Sequence, residues 1–163
     1  MKLIFAGAAA LLLADIALAH PEANQSANAA AIGAAAPSAR PAAAVVDAFH
    51  TALQRGDTKA ALSHLAENAL IYESGGVERG RDEYASHHLG ADSAFAQAVP
   101  GTVSKRAAEA VGNVAWIATE GRTTGTYKDK AVDRVTTETM VLRRQGNAWK
   151  IVHIHWSSAG ATK

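Results

Sequence analysis

A series of strand-like segments fills the chain from residue 102 onward, and this feature restricts the fold more than any other. Residues 102–112, 113–129, 131–146 and 147–158 are β-rich runs. Gly-Asn, Lys-Asp-Lys and Gly-Asn turn signals separate them, and such spacing is typical of β-hairpins. The pattern predicts an antiparallel meander in the second half of the domain.

Helical patterns precede the meander. In residues 42–57 apolar side chains recur at helical spacing, and Gly56 lies where a C-terminal cap is expected. Asp57 then caps a second, shorter helix, a Leu-Ile-Tyr strand ends at a Gly-Gly pair, and a third helix runs from about Asp82 to Pro100. Helices on one face of an antiparallel sheet define an α+β domain. A strongly curved sheet of this kind leaves a cone-shaped cavity, which is a natural ligand pocket.

The amino-terminal residues predict export. Residues 1–19 combine the basic Lys2, an apolar run and the small-x-small site Ala17-Leu18-Ala19, which is the organisation of a cleaved signal peptide. The run is too short for a comfortable membrane span and no second one follows. We therefore expect a periplasmic or secreted protein without a membrane span after processing.

Composition divides the rest of the chain and excludes several functions. Residues 20–41 are rich in Ala, hold three of the four prolines and lack aromatic side chains, which predicts a disordered linker before a domain at 42–160 and a tail at 161–163. The chain has no cysteine, which excludes disulfides and thiolate nucleophiles. Its net charge of +1 argues against a nucleic-acid surface. Nothing in the sequence indicates a cofactor.

Two motifs carry a resemblance to a known superfamily. They are "VVDAFHTALQRGD" leading to "ALIYESGG", and "ETMVLRRQGNAWKIVHIHWSSAGA". Together with the order of elements from about 42 to 158, they resemble the nuclear transport factor 2-like superfamily, which includes SnoaL-like polyketide cyclases and ketosteroid isomerases. The second motif is similar to the last strands of the association domain of calcium/calmodulin-dependent kinase. Because this scaffold supports enzymes, ligand binders and oligomerising modules, the resemblance implies the fold more firmly than an activity.

The resemblance to ketosteroid isomerases implies one catalytic role. Their carboxylate base falls at Glu73, whereas Phe49 occupies the position of their oxyanion-binding tyrosine. A glutamate beside an apolar wall can abstract a proton next to a carbonyl, with His88 or Tyr84 as possible assistants. Without a hydrogen-bond donor, however, the developing enolate is unstabilised. The alternative is that Glu73 simply ends a strand.

The superfamily fold also implies a pocket. We expect it to be lined by the catalytic candidates together with Phe49, Tyr72, Glu138, Met140, Ile154 and Trp156. Trp156 and Tyr72 would form an aromatic wall, unless both belong to the core or to a subunit contact. A buried Glu138 would pair with Arg134 or meet a polar ligand group, and the alternative is a solvated sheet edge.

Histidines give a competing hypothesis of Cu²⁺ or Zn²⁺ binding. His153 and His155 lie two apart on the last strand and therefore share a face, opposite Ile154 and Trp156. The interpretation we prefer is that they form hydrogen bonds on the outer face of the sheet. Cleavage after residue 19 would make His20 the amino terminus, where amine and imidazole together chelate Cu²⁺.

The sequence also predicts the partners. Val and Thr alternate at positions 135, 137, 139 and 141, and a sheet face of this kind needs cover. We therefore expect a homodimer formed through the open face of the sheet. The expected ligand is a small, mostly apolar molecule with one polar group, whose binding without chemistry is the first hypothesis and whose isomerisation or cyclisation is the second.

Overall fold

The computed structural model of the chain describes residues 35–161. The predicted signal peptide and His20 lie outside the described residues. The predicted linker overlaps the described part only from Ala35 to Pro41, where Ala39 is completely buried and a short 3-10 turn at Pro37–Ala39 leads into the first helix.

The two helices predicted first in the domain are present and pack against each other. Helix α1, Arg40–Gln54, begins two residues before the predicted domain start and presents an apolar stripe to the core. Gly56 follows it with φ of 75°, a left-handed conformation that glycine adopts at helix ends. Helix α2, Thr58–His64, starts as predicted at Asp57, whose Oδ1 accepts a hydrogen bond from the amide of Ala60 at 2.9 Å.

The predicted third helix is in fact two helices. Helix α3 is Arg81–His87 and helix α4 is Leu89–Ala98, with His88 between them at φ −118° and ψ −32°. The prediction of one continuous helix was therefore wrong. Tyr84 is buried, His88 is half-exposed, and Phe95 packs edge-on against Tyr127.

Six strands form one open, curved sheet in the order β2-β1-β6-β5-β4-β3. Four of the five pairings are antiparallel, as predicted, but β1 runs parallel to β6. The parallel pairing arises because the chain leaves β1 through β2, α3 and α4 and returns from the opposite edge of the sheet. The strands are β1 Leu65–Glu73, β2 Gly76–Glu78, β3 Gly101–Val111, β4 Val114–Tyr127, β5 Lys130–Gln145 and β6 Ala148–Gly160.

The predicted turns connect the meander. Gly112 and Gly146 have positive φ at the first and third hairpins, and Lys128 and Asp129 have φ of 50° and 61° at the second. Two successive positive φ values are the geometry that matches the twist of a two-residue hairpin loop. The α+β prediction, with helices first and a meander after them, is confirmed.

The core lies between α1 and the inner face of the sheet. Val46, Phe49 and Leu53 of α1 belong to one buried cluster with inner-face side chains such as Met140 and Ile154. In the described part of the chain, the other face carries no helix. Within residues 35–161, no helix combines the length and apolar character needed to cross a bilayer.

Candidate functional site

A row of polar and aromatic side chains crosses the inner face directly beyond the core. Glu138 of β5 and Glu73 of β1 are both register partners of Trp156 on β6. The preceding inner-face row, Met140 and Ile154, is completely buried. Because neighbouring strands lie about 4.8 Å apart, the two carboxylate-bearing residues stand about 10 Å apart with the indole between them.

Glu138 is the most constrained member of this row. Its side chain is only 9% exposed. Its Oε2 accepts a hydrogen bond from Trp156 Nε1 at 2.7 Å and shares a second with His50 Nε2 at 2.7 Å. Its Oε1 is buried and has no hydrogen-bond partner among the described residues. One oxygen of a buried carboxylate is therefore held by two donors, while the other is buried without one among the described residues.

The surroundings keep Glu138 ionised. Burial by itself raises the pKa of this carboxyl, but the hydrogen bond and charge of His50, the indole of Trp156 and the more distant Arg106 outweigh it and hold the pKa below the usual range. The carboxylate is thus a permanent acceptor at neutral pH.

Aromatic rings pack around the same indole. Phe49 stacks on Trp156 with ring centroids 6.3 Å apart, and Tyr84 lies tilted at 6.4 Å. Phe49 and Tyr84 are fully buried, like Met140 and Ile154. These four predicted pocket residues therefore form the closed floor of the site, and Trp156, which is partly buried, is its aromatic contact surface.

The inner face opens beyond this row. The next inner-face positions are the small residues Gly121, Thr136 and Ser158, of which Thr136 is the register partner of the other two. Arg134, a further two residues along β5, is exposed and donates hydrogen bonds to the hydroxyl and carbonyl oxygens of Ser158. The predicted pairing of Glu138 with Arg134 is therefore wrong, because Glu138 pairs with His50.

Acidic groups cluster at the β1 side of the row. Glu78 of β2 is 4% exposed and contacts His88 Nδ1 through its carboxylate. Asp92 of α4 accepts a hydrogen bond from the Tyr84 hydroxyl at 2.8 Å. Glu73, at the exposed end of β1, faces the same group of side chains.

These acids perturb one another. Burial raises the pKa of Glu73, and the charges of Asp92 and Glu78 add to this against the opposing effect of His88. Burial also raises the pKa of Asp92, although its hydrogen bond with Tyr84 acts in the opposite direction. Burial and the same carboxylates raise the pKa of Tyr84, so its hydroxyl stays neutral. Glu73 and Asp92 therefore hold their protons more firmly than ordinary carboxyl groups.

The strand histidines lie on the opposite face, together with one predicted pocket residue. Tyr72 packs edge-on against both His153, at 5.2 Å, and His155, at 6.2 Å. His153 Nδ1 donates a hydrogen bond to the carbonyl of Leu70 at 2.8 Å. The assignment of Tyr72 to a wall shared with Trp156 was therefore wrong, because Tyr72 pairs with His155 in the sheet. The preferred outer-face interpretation of the two histidines agrees with these contacts.

Among residues 35–161, no three His, Asp or Glu side chains are arranged to hold a metal ion. His20 lies outside this range, so its chelation of Cu²⁺ stays a prediction.

Sequence reasoning missed three members of the site. His50 lies four residues after Val46 and three before Leu53, in the apolar stripe of α1, so its place in the packed face was a usable signal. Asp92 and Glu78 gave no comparable signal. Their roles depend on the break at His88 and on the pairing of β2 with β1.

Comparison with known proteins identifies both a family and a fold for this chain. The protein-family model described as a SnoaL-like domain matches residues 42–161. A candidate ketosteroid isomerase from Shewanella frigidimarina is 41% identical, with 69% of this chain and 91% of that chain covered and a TM-score of 0.67. No curated protein matches the chain.

More distant structures share the fold. A candidate calcium/calmodulin-dependent protein kinase II association domain from Xanthomonas campestris is 22% identical over 80% of this chain and 96% of that chain, with a TM-score of 0.64. The association domain of the Caenorhabditis elegans kinase is 18% identical over 74% and 95%, with a TM-score of 0.59. At this identity the likeness concerns the fold alone.

Proposed function

The chain belongs to the SnoaL-like domain family, and from this premise we propose that it binds a small, mostly apolar molecule against the inner face of its sheet. The molecule lies on Trp156, over the closed floor formed by Phe49 and Tyr84, in the space left by the small side chains beyond them. One polar group of the ligand reaches the Glu138 carboxylate.

The unpartnered oxygen of Glu138 carries this proposal. A buried acceptor without a donor costs about 1–3 kcal/mol, and here it stands beside an aromatic surface at the edge of the core. Ligand sites in proteins are mostly apolar with a few fixed polar groups. The Trp156–Glu138 hydrogen bond holds both elements in one orientation.

Tryptophan fluorescence tests the proposal directly. Titration with a neutral apolar probe, 2-phenylethanol, is expected to change the emission of the wild-type protein. Trp156→Phe should abolish the change, whereas the control Trp116→Phe, on the opposite face, should retain it. A response that survives Trp156→Phe and disappears in Trp116→Phe would contradict the proposed location.

An isomerase is the second candidate, supported by the raised pKa of Glu73 and by the Shewanella frigidimarina neighbour. Glu73 would remove a proton between a ketone and a double bond and return it at the far end of the allylic system. The candidate is weaker because the Tyr84 hydroxyl already donates to Asp92 and the equivalent tyrosine position on α1 is Phe49. No oxyanion donor is therefore held ready.

Turnover of a β,γ-unsaturated 3-ketosteroid tests this candidate through the absorbance of the conjugated product. Glu73→Gln should abolish turnover, and Glu67→Gln, an exposed carboxylate on the same strand, should leave it unchanged. Turnover that survives Glu73→Gln would exclude Glu73 as the base.

Self-association and export complete the proposal. The uncovered sheet face, with exposed Trp116 and Val135, supports a homodimer, in keeping with the association-domain neighbours. The signal-peptide pattern of residues 1–19 supports a periplasmic or secreted protein.

A further inference from the structure

The candidate site contains more carboxyl groups than are needed to bind one polar group of a ligand. Four carboxyl side chains from β1, β2, α4 and β5 gather around the Tyr84 and Trp156 rings; they are Glu73, Glu78, Asp92 and Glu138. Burial raises the pKa of Glu73 and of Asp92, and repulsion between carboxylates adds to it: Asp92 and Glu78 act on Glu73, and Glu78 acts on Asp92. A cation placed among them would relieve that repulsion.

The fixed cations of the inner face are engaged elsewhere. Arg106 donates to Asp47 at 2.7 Å and to Thr119 at 3.3 Å. Arg134 is held by Ser158 and stands four residues from Glu138, about 13 Å along an extended strand. His50 and His88 each contact one buried glutamate, whereas no ion pair among the described residues involves Glu73 or Asp92. The four carboxyl groups therefore outnumber the basic side chains that contact them.

A second, independent observation points to a ligand at the same place. Glu138 is nine-tenths buried and its Oε1 lacks a donor, although its Oε2 has two. Because the carboxylate is shielded from bulk water, a donor that reaches Oε1 forms a strong, charge-assisted hydrogen bond.

The aromatic surface of Trp156 also favours a cationic group. Tryptophan is the aromatic side chain that attracts cations most strongly through its ring face. Trp156 is held in place by its hydrogen bond to Glu138 and by stacking on Phe49. An ammonium group that binds Glu138 would lie close to this indole.

We propose that the ligand class is a small hydrophobic amine, bound as its protonated form, whose ammonium donates to Glu138 Oε1 and whose apolar part covers Trp156. The inference rests on the proposed ligand site and adds the charge and chemical class of the ligand. The four carboxyl groups select against anionic molecules, and the unpartnered acceptor orients the cation.

A matched series of probes tests the charge requirement on the wild-type protein. Calorimetric titrations with phenethylamine, 2-phenylethanol and 3-phenylpropionate compare a cation, a neutral alcohol and an anion on the same aromatic group. The amine is expected to bind about tenfold more tightly than the alcohol, as one charge-assisted hydrogen bond provides, and the anion to bind more weakly than either.

A variant pair then tests the assigned residue. Glu138→Gln keeps the size of the side chain and removes its charge, so the preference for amine over alcohol should disappear. The control Glu120→Gln removes an exposed carboxylate on the outer face and should keep the preference. If Glu138→Gln fails to fold, the shifts of the tryptophan indole N–H signals on titration of the wild-type protein replace it: the amine must shift Trp156 most.

The outcomes separate this inference from the proposed function. Equal binding of alcohol and amine at Trp156, or an amine preference that survives Glu138→Gln, overturns the amine class and leaves the apolar site standing. Binding of none of the three probes contradicts both. Amine preference that depends on Glu138 supports both.

Discussion

Glu138 and Glu73 flank the same indole, yet their surroundings act on them in opposite directions. Burial raises the pKa of both carboxyls, but at Glu138 the hydrogen bonds from His50 and Trp156 and the charge of His50 outweigh it and favour the charged form. At Glu73 the charges of Asp92 and Glu78 add to the effect of burial and disfavour the charged form. Glu138 and Glu73 lie in one row of the sheet, yet their ionisation therefore has opposite effects on the stability of the folded protein.

Glu138→Gln should lower the stability of the folded protein at neutral pH by about 2 kcal/mol, as loss of hydrogen bonds to a charged group does. The folded-state pKa lies below the ordinary value of 4.5, so the contribution is present above about pH 4.5 and is lost as the pH falls through the lower, folded-state pKa. Thermal unfolding at several pH values measures this. A difference from wild type that grows in acid would contradict the assignment.

Glu73→Gln should have the opposite effect and raise the melting temperature at neutral pH. The folded-state pKa lies above the ordinary 4.5, so the ionised side chain disfavours the folded state at higher pH, and protonation relieves this as the pH falls. The advantage of the variant should therefore disappear below about pH 4.5. The same melting experiment with Glu67→Gln, an exposed neighbour on β1, is the control, and a Glu73→Gln variant less stable than wild type at neutral pH would refute the prediction.

At the scale of elements, the close approach of β3 to β4 depends on one glycine. A Cβ at Gly121 would lie 2.6 Å from the carbonyl oxygen of Thr102 and 3.0 Å from the hydroxyl of Thr136. The register between these strands shifts between Val103 and Lys105, next to this contact. The backbone oxygen cannot move without disturbing the ladder.

Gly121→Ala should therefore destabilise the protein by about 1–3 kcal/mol, the usual cost of overpacking. Gly90→Ala is a matched control with the opposite sign, since Gly90 lies in helix α4 with no atom within 4 Å of the added Cβ. It should stabilise the protein by up to about 1 kcal/mol. Denaturant unfolding of both variants gives the comparison, and equal effects would show that the contact at Gly121 is unimportant.

At the scale of the whole molecule, the two faces of the sheet have different environments. The inner face is covered by α1, whereas the outer face exposes Trp116 and Val135, with Thr139 between Ala118 and His155 near its centre. An apolar and β-branched face of this kind is typically covered by another sheet or by a second subunit.

Thr139→Glu should convert the proposed dimer to a monomer, because a carboxylate would be buried without a partner at the centre of the interface. Ala91→Glu adds the same charge on exposed helix α4 and should leave the dimer intact. Light scattering coupled to size-exclusion chromatography measures both. A wild-type monomer, or a Thr139→Glu dimer, would rule out this face as the interface.

Processing of the amino terminus is also a property of the whole molecule, and the mass of the exported protein reports it. Native mass spectrometry of the exported protein should give a dimer whose chains begin at His20, because Ala17-Leu18-Ala19 is the predicted cleavage site. A chain that retains residues 1–19 would contradict export by this route. An added mass that matches one Cu²⁺ per chain would instead support chelation by His20.

Local patterns were sufficient to predict much of the fold. The hairpin turns, the Asp57 cap and the separation of His153 and His155 from Ile154 and Trp156 all depend on residues near one another in the chain. Period-two alternation on β6 and capping chemistry act over a few residues, so the sequence by itself determines them.

The site itself depended on tertiary structure. His50 and Glu138 are 88 residues apart and meet only because α1 packs on β5 and β6. Tyr72 turns outward because the pairing of Ile71 with Ile154, rather than any pattern within β1, decides which of its faces is buried. Long-range pairing and desolvation choose the partners of each carboxylate, and no local periodicity records that choice.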